Sequence, residues 1–252
     1  MKINYKSLRK IPLDDPARTQ QHANVIATKI PLRNIYQRWY EELIFDSNSN
    51  DSEQILEIGS GGGIIKQFFP NVITSEIIVD QNCDITCSAY DLPFSDGTLK
   101  AIIMIDVFHH LAHCEEFLKE ASRVLKDDGK IVMIEPSNCF WSRLIYKNFH
   151  HEPFDETQSA WHFETKGPLS DSNMALPYIV FERDAKLFFE KYPEFKIEKI
   201  RYHTPVSYLL SGGLSRPNLV PASWFGCIRK IEKQLEGKNF SMFNTITITK
   251  KS

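Results

Sequence analysis

The chain has 252 residues, of which 42% are hydrophobic and 25% charged, and its net charge is −2. This is the composition of a globular domain with a sizeable core, and it excludes disordered, collagenous and low-complexity chains. No apolar run approaches the ~18 residues of a spanning helix. The N-terminal MKINYKSLRK lacks the apolar core of a secretory signal, and five cysteines (Cys83, Cys87, Cys114, Cys139, Cys227) argue for a reducing compartment rather than a disulfide framework. A cytoplasmic location is therefore expected.

Charge is segregated along the chain. Residues 1–40 hold eight basic and two acidic side chains, and residues 195–252 hold ten basic and three acidic ones, whereas 41–100 and 101–194 are net acidic by 9 and 6. The pattern suits either a solvated surface or two basic ends folded over one mouth, where they would attract an anionic substrate, a lipid or a membrane surface. A bulk nucleic-acid binder would be more basic overall, so no nucleic-acid partner is expected.

In chain order, Asn24 to Ile44 reads as one helix with an aromatic face including Tyr36, Trp39 and Tyr40. Gln54 to Ile58 reads as a buried strand, and Gly61 to Phe69 as a short helix stopped by Pro70. Val72 to Val79, Asp84 to Ala89 and Ala101 to Val107 are further strands. Cys114 to Lys126 places Phe117, Leu118, Ala121, Val124 and Leu125 at helical spacing, ended by Asp128-Gly129, and Ile131 to Ile134 is a fifth strand. This alternation predicts a parallel, doubly wound α/β sheet with helices on both faces. Phe140 to Phe149 reads as a helix, 150–178 as loop with Pro153, Pro168 and Pro177, Arg183 to Glu190 as a helix, and Phe195 to Tyr202 and Met242 to Thr249 as a final strand pair. Residues 206–241 form an unusual insertion of lid type.

The chemistry is concentrated in the turn after the first strand, Glu57-Ile58-Gly59-Ser60-Gly61-Gly62-Gly63. Glycines there permit a sharp turn and close approach to a ligand, and a helix start would favour an anionic group such as a carboxylate. The dinucleotide pattern G-x-G-x-x-G fails, because Ile64 holds its last position. No Gly-Lys-Ser/Thr follows, so the phosphate-loop pattern fails too. An acid at the end of the second strand would accept both ribose hydroxyls. Glu76 and Asp80 stand near the required distance of about 20 residues from the glycines.

Four blocks in order resemble one family: ILEIGSGGG (55–63), AYDLPF with Asp96-Gly97 (89–97), IIMIDVFHHL (102–111) and FLKEASRVLKDDGKIVMIEPS (117–137). They are similar to class I S-adenosylmethionine-dependent methyltransferases of the ubiquinone/menaquinone-biosynthesis type, and cover about a third of the chain. The resemblance implies a Rossmann-like, seven-stranded sheet with five parallel strands and a C-terminal pair, and S-adenosyl-L-methionine as cofactor. It implies that Glu57, Gly59, Ser60, Gly61 and Gly63 hold the methionine end and that Glu76, ranked above Asp80, holds the ribose. Ala89 and Tyr90 would flank adenine, with Ser88 where this family often has an acid. Asp106 and Val107 would lie beneath the methionine moiety.

His109, His110 and His113 follow the fourth strand at the sheet edge where such folds bind ligands. One of His109 or His110 is a candidate general base. His109 and His113, four apart, lack any H-E-x-x-H context, and no metal is expected. Glu135 either faces the acceptor or caps the fifth strand, and His150-His151-Glu152, Asp155 and His162 form a polar cluster over the mouth. Cys83 and Cys87 read as buried thiols. No Asp/Asn-Pro-Pro-Tyr/Phe and no Pro-Cys is present, which excludes the familiar nucleic-acid methyltransferase patterns.

The chain is thus expected to be one domain over 1–252, with a core at about 45–140, an N-terminal helical cap at 1–44, and substrate-side insertions at about 150–178 and 206–241. The expected reaction is methyl transfer to an oxygen of a small, apolar or anionic acceptor. The rivals are a cofactor-binding module without turnover and a nicotinamide-dependent oxidoreductase.

Overall fold

The computed structural model describes Tyr5 and residues 10–12, 14–50, 52–167 and 169–252. The sequence readings on Pro168 and on the first ten residues other than Tyr5 and Lys10 lie outside the described residues. The strands are β1 (Ile55–Ile58), β2 (Ile73–Glu76), β3 (Ile85–Thr86), β4 (Leu99–Ile105), β5 (Leu125–Pro136), β6 (Phe195–His203) and β7 (Phe243–Lys250). They form one sheet in the order β3-β2-β1-β4-β5-β7-β6. The pairs from β3 to β5 are parallel, while β7 pairs antiparallel with both β5 and β6. This is the expected class I topology. The central strands read as continuous apolar runs because a parallel sheet is covered on both faces. In β4, Ala101, Ile102, Ile103 and Met104 are all fully buried.

The two faces can be read from β7, whose side chains alternate. Thr245 and Thr247 donate to Glu42 and Asp46 of an N-terminal helix. Lys250, of the opposite parity, reaches the carbonyls of Ser122 and Leu125 on the other side. That second side is covered by α3 (Cys114–Val124), whose Phe117, Leu118, Ala121 and Val124 are fully buried.

The N-terminal reading needs one correction. The single helix expected over 24–44 is two, α1 (Pro16–Thr28) and α2 (Ile30–Ser47), broken at Lys29 with φ −94° and ψ 92°. Pro31 is the cause. In a continuous helix it would lack the bond to the Ala27 carbonyl and clash with it, whereas in the first turn of a new helix it costs little. The segment after the glycine turn differs as well. In place of a helix over 61–69 there is one 3-10 turn, Ile64–Gln67. Gly61, Gly62 and Gly63 all have positive φ, which a right-handed helix cannot use, and Pro70 closes the segment. The helix start expected to attract an anion is therefore absent.

Further along the chain, α4 (Phe140–Phe149) matches its reading. A helical turn (Leu176–Tyr178), a π-turn (Ile179–Arg183) and α5 (Ala185–Lys191) follow the loop. The 206–241 insertion contains α6 (Phe225–Leu235). The Asp128-Gly129 turn lies within the irregular start of β5, between the Leu125 and Lys130 pairings, and not at the helix end, which comes at Val124.

The basic C-terminal segment pairs with acids at the start of the acidic middle and within itself. Lys199 pairs with Asp46 at 2.8 Å, Arg201 pairs with Glu42, and Arg229 with Glu232 at 3.2 Å. Much of the C-terminal basic charge is thus spent on internal acids. Among the described residues no helix is long and apolar enough to cross a membrane.

Phe117 contacts Phe108 edge-on at 6.1 Å between ring centroids, with both side chains fully buried. Phe117→Ala is expected to lower the unfolding free energy by about 3–5 kcal/mol in a urea titration. A loss below about 1 kcal/mol would contradict its place in the core.

Candidate active site

The glycine turn is held from below by β2. Ser60 N–H donates to the Ser75 carbonyl at 3.0 Å, and Ser75 N–H donates to Ser60 Oγ at 3.1 Å. Gly61 N–H donates to Glu76 Oε1 at 2.6 Å. Gly61 and Gly63 are both left-handed, but for different surroundings. A Cβ on Gly63 would stand 2.3 Å from the Asn82 carbonyl oxygen, whereas one on Gly61 would meet nothing within 4 Å. Gly63 is required by packing, and Gly61 opens onto empty space.

That space is a cavity of about 330 Å³ at the C-terminal edge of the parallel strands, within the size range of small-ligand sites. Glu57, Gly59, Ser60, Gly61, Glu76, Ser88, Ala89, Tyr90, Asp106, Val107 and His110 line it, so residues from three of the four sequence blocks converge. Gly63, Asp80 and His109 do not line it. Asp80 instead accepts from Asn82 N at 2.8 Å and Asn82 Nδ2 at 3.0 Å, closing its own turn. Ser88 Oγ accepts from Tyr90 N at 3.1 Å, which shapes the turn opposite the glycines.

The sequence reading named no site residue among Thr19, His22 and Ile26 of α1 or Tyr36 and Tyr40 of α2, which fall in its N-terminal cap, while Leu214 belongs to the 206–241 insertion it placed on the substrate side. Leu214 is brought there by a buried lysine. Lys29, at the break between α1 and α2, donates through Nζ to the carbonyls of Gly213 (2.6 Å) and Arg216 (2.7 Å). Burial lowers its ammonium to about 8.

Three acids dominate the electrostatics. Glu57 is 1% exposed, and its Oε2 has no hydrogen-bond partner among the described residues. Burial raises its carboxyl to about 8. The hydroxyls of Ser60 and Tyr40 act the other way, and the charge of Glu76 reinforces the rise. Burial also raises Asp106, to about 7, and Glu135 and Glu152 add to it while His109 opposes. Glu76 is raised by burial, against the bond from Gly61 N–H. A buried carboxyl with an unused oxygen facing a cavity suits a cationic group, because an unpaired buried acceptor is costly.

The histidines separate into different roles. Glu135 is fully buried and is a cap: its Oε1 accepts from Val107 N (2.9 Å) and Phe108 N (2.7 Å), and its Oε2 from His109 Nδ1 (2.6 Å). His109 Nε2 lies 3.4 Å from Glu152 Oε2. Burial works against the His109 imidazolium, but Glu135 and Glu152 prevail and raise it to about 10. With both nitrogens engaged and no access to the cavity, His109 is not placed to take a proton from an acceptor. His110 lines the cavity, donates through Nδ1 to the Asp171 carbonyl at 3.2 Å, and is lowered to about 4 by burial and the His109 charge. It is therefore neutral, with Nε2 as its acceptor. His113 receives no such anchoring; its backbone N–H donates to Tyr90 Oη at 3.3 Å.

Residues 56–133 match the model of the methyltransferase domain family. The chain carries a class I S-adenosylmethionine-dependent methyltransferase domain. The solved structures agree on the fold. A SAM-dependent methyltransferase from Archaeoglobus fulgidus is 17% identical, over 87% of this chain and 94% of that chain, with a TM-score of 0.53. The geranyl diphosphate C-methyltransferase from Streptomyces coelicolor A3(2), solved with Mg2+, geranyl diphosphate and S-adenosyl-L-homocysteine, is 13% identical over 88% and 82%, with a TM-score of 0.51. No curated protein matches the chain significantly.

The methyltransferase cofactor brings an ammonium, a carboxylate and two ribose hydroxyls. The residues present fit the ammonium, through the unpartnered Glu57 oxygen, and the ribose hydroxyls, through Glu76. The two glycines give a discriminating test. Gly61→Ala adds a methyl group on the cavity side and strains one left-handed residue, at a cost of about 1–2 kcal/mol. It is expected to weaken S-adenosylmethionine binding more than tenfold in calorimetry while the melting temperature falls by a few degrees. Gly63→Ala is expected to cost substantially more stability because the added Cβ strikes backbone. Equal effects of the two substitutions on stability would refute this division.

Proposed function

We propose that this methyltransferase moves the methyl of S-adenosylmethionine to an oxygen of a small-molecule acceptor that is apolar with an anionic group. The observation that carries the binding half is the buried, unpartnered Glu57 Oε2 in the wall of a ligand-sized cavity. Glu57 would hold the methionine ammonium, Glu76 the ribose hydroxyls, and Ala89 and Tyr90 the adenine, with Ser88 at its edge. Asp106 and Val107 would lie under the methionine chain. Asp80 and Gly63 act indirectly in this reading, by shaping the loop.

The bound cofactor supplies an activated sulfonium methyl, so the chain's own residues need chiefly to align an acceptor and exclude water. Tyr36, Leu111 and Leu214 give that end of the cavity an apolar wall. His110, neutral and with Nε2 as acceptor, replaces His109 as the candidate base for a hydroxyl proton. The N-terminal helices and the two insertions would close the acceptor side. Exposed Trp224 and Ile231 beside Lys230 and Lys233 on the 206–241 insertion support acceptor delivery from an anionic lipid surface.

The reading is tested first by calorimetric titration with S-adenosylmethionine, S-adenosylhomocysteine and NADH. Micromolar binding of the two adenosyl ligands and none of NADH is expected, and the reverse would move the chain to the oxidoreductases. Transfer from 13C-methyl-labelled cofactor to a panel of phenolic, carboxylic and prenylated acceptors then separates methoxy from C-methyl products by carbon shift. Binding without transfer to any acceptor would favour the module without turnover.

Glu57 also gives a proton-linkage prediction. Its folded carboxyl is raised from 4.5 to about 8, so the folded chain holds more protons than the unfolded one across that window. Its contribution to stability is therefore present at low pH and lost as pH rises from about 4.5 to about 8. An ammonium beside it favours ionisation, so cofactor binding at pH 7 is expected to release protons. The dependence of the calorimetric enthalpy on buffer ionisation should reveal this, and Glu57→Gln should abolish it. Proton uptake by the wild type would contradict the assignment.

A further inference from the structure

A second cluster lies at the cavity wall, built from residues distant in sequence. His109 and His110, on the 3-10 turn Phe108–His110, meet Glu152 from the 150–178 loop. One ligand atom from each lies within 4.8 Å of the others. We propose that His109, His110 and Glu152 form a binding site for one first-row divalent transition-metal ion such as Zn2+, Fe2+ or Co2+.

Three observations carry the proposal. Each histidine has its Nδ1 engaged by a fixed acceptor, His109 by the Glu135 carboxylate at 2.6 Å and His110 by the Asp171 carbonyl at 3.2 Å. In His110 this leaves Nε2 for a ligand, and in His109 Nε2 meets only Glu152, the carboxylate that would share the ion with it. Outer carboxylates and carbonyls orient metal-binding imidazoles in this way. The direction is also right, since His109 Nε2 already lies 3.4 Å from Glu152 Oε2. The charge suits a divalent ion: Glu135 and Glu152 place two carboxylates around the imidazoles, and Asp106 offers a third carboxyl within the same 4.8 Å grouping with His109 and Glu135.

Two imidazoles and a carboxylate with open positions select borderline transition metals over Mg2+ or Ca2+. The alternative grouping His150, His151 and Glu152 also meets the distance criterion. It is the poorer site. Its histidines are exposed, and His150 Nδ1 is occupied by the Glu152 backbone N–H at 3.3 Å. The sequence shows no metal pattern because His109, His110 and His113 lack any H-E-x-x-H context, whereas the third ligand comes from Glu152, about 40 residues on.

Because His110 also lines the cavity, an ion held here stands at the wall of the proposed acceptor space and takes the Nε2 that the metal-free chain would offer as a base. The site itself does not depend on that reading, and its test uses the metal alone, without cofactor or acceptor. The full-length chain is stripped with chelator and titrated with Co2+, following visible absorption and calorimetry. One Co2+ per chain is expected, with ligand-field bands in the visible, displaced by Zn2+ and not by Mg2+.

Glu152→Gln and His110→Ala should each weaken binding at least tenfold. Glu135→Gln should weaken it about tenfold or more through loss of the orienting bond. His151→Ala should leave it unchanged. Far-UV circular dichroism and melting temperature accompany each variant. Should His110→Ala fail to fold, Glu152→Gln decides, since it keeps the shape of a side chain that is 19% exposed. Absence of stoichiometric Co2+ binding, wild-type affinity in folded Glu152→Gln or His110→Ala, or loss of binding in His151→Ala would each overturn the proposal.

Discussion

The arrangement of the site depends on one buried carboxylate. Glu135, at the end of β5, accepts two backbone N–H groups and one imidazole N–H from the segment that leaves β4. The β4 exit is unusual, because Asp106 has a φ of 54°, a left-handed conformation that costs a non-glycine residue about 1 kcal/mol or more. The bonds to Glu135 offset that cost. They also decide which side chains reach the cavity. Asp106, Val107 and His110 face it, while His109 is turned inward. Glu135 therefore connects the packing of neighbouring strands to the division of labour between two adjacent histidines. That division follows from hydrogen-bond geometry rather than from the residue type, which is identical at 109 and 110.

The parallel half of the fold was legible because its signals are local. Apolar runs at 55–58 and 99–105, the amphipathic spacing at 114–124 and the glycine turn each identify an element without knowledge of the rest. The glycine turn also shows the limit of local reading. Its glycines suggest a helix start, but three consecutive left-handed residues and Pro70 leave space for only a 3-10 turn. The backbone dipole expected to favour an anion is absent there, and the acids Glu57 and Glu76 line the cavity beside the turn instead.

What was not legible is non-local. Nothing in the residues around Lys29 distinguishes it from a solvated lysine, yet it is 6% exposed and bonded to carbonyls about 185 residues away. Nothing around Glu152 marks it as the neighbour of His109. The charge segregation was visible, but its use was not. Glu42 and Asp46 of α2 face Arg201 and Lys199 of β6 and the threonines of β7. Basic ends and acidic middle thus serve in part to dock the first helices on the last strands. Lys230 and Lys233, near Trp224, are exposed on α6.

These non-local contacts explain how a sheet common to many methyltransferases acquires a cavity with walls of its own. The sheet supplies the glycine turn and the β4 exit, which form the floor of the cavity. The walls come from α1, α2 and the 206–241 insertion, and none of these elements belongs to the matched stretch 56–133. Lys29 is where those walls are joined. Its position at the break imposed by Pro31 brings an ammonium to two carbonyls of the Gly213–Arg216 turn, with the face of Tyr5 5.6 Å away. A buried ammonium tolerates few geometries, because each donor without an acceptor is costly. The break between α1 and α2 therefore sets where Leu214 sits, and with it the shape of that end of the cavity. Variation in acceptor among chains of this fold can arise in such a wall without any change to the glycine turn beneath it.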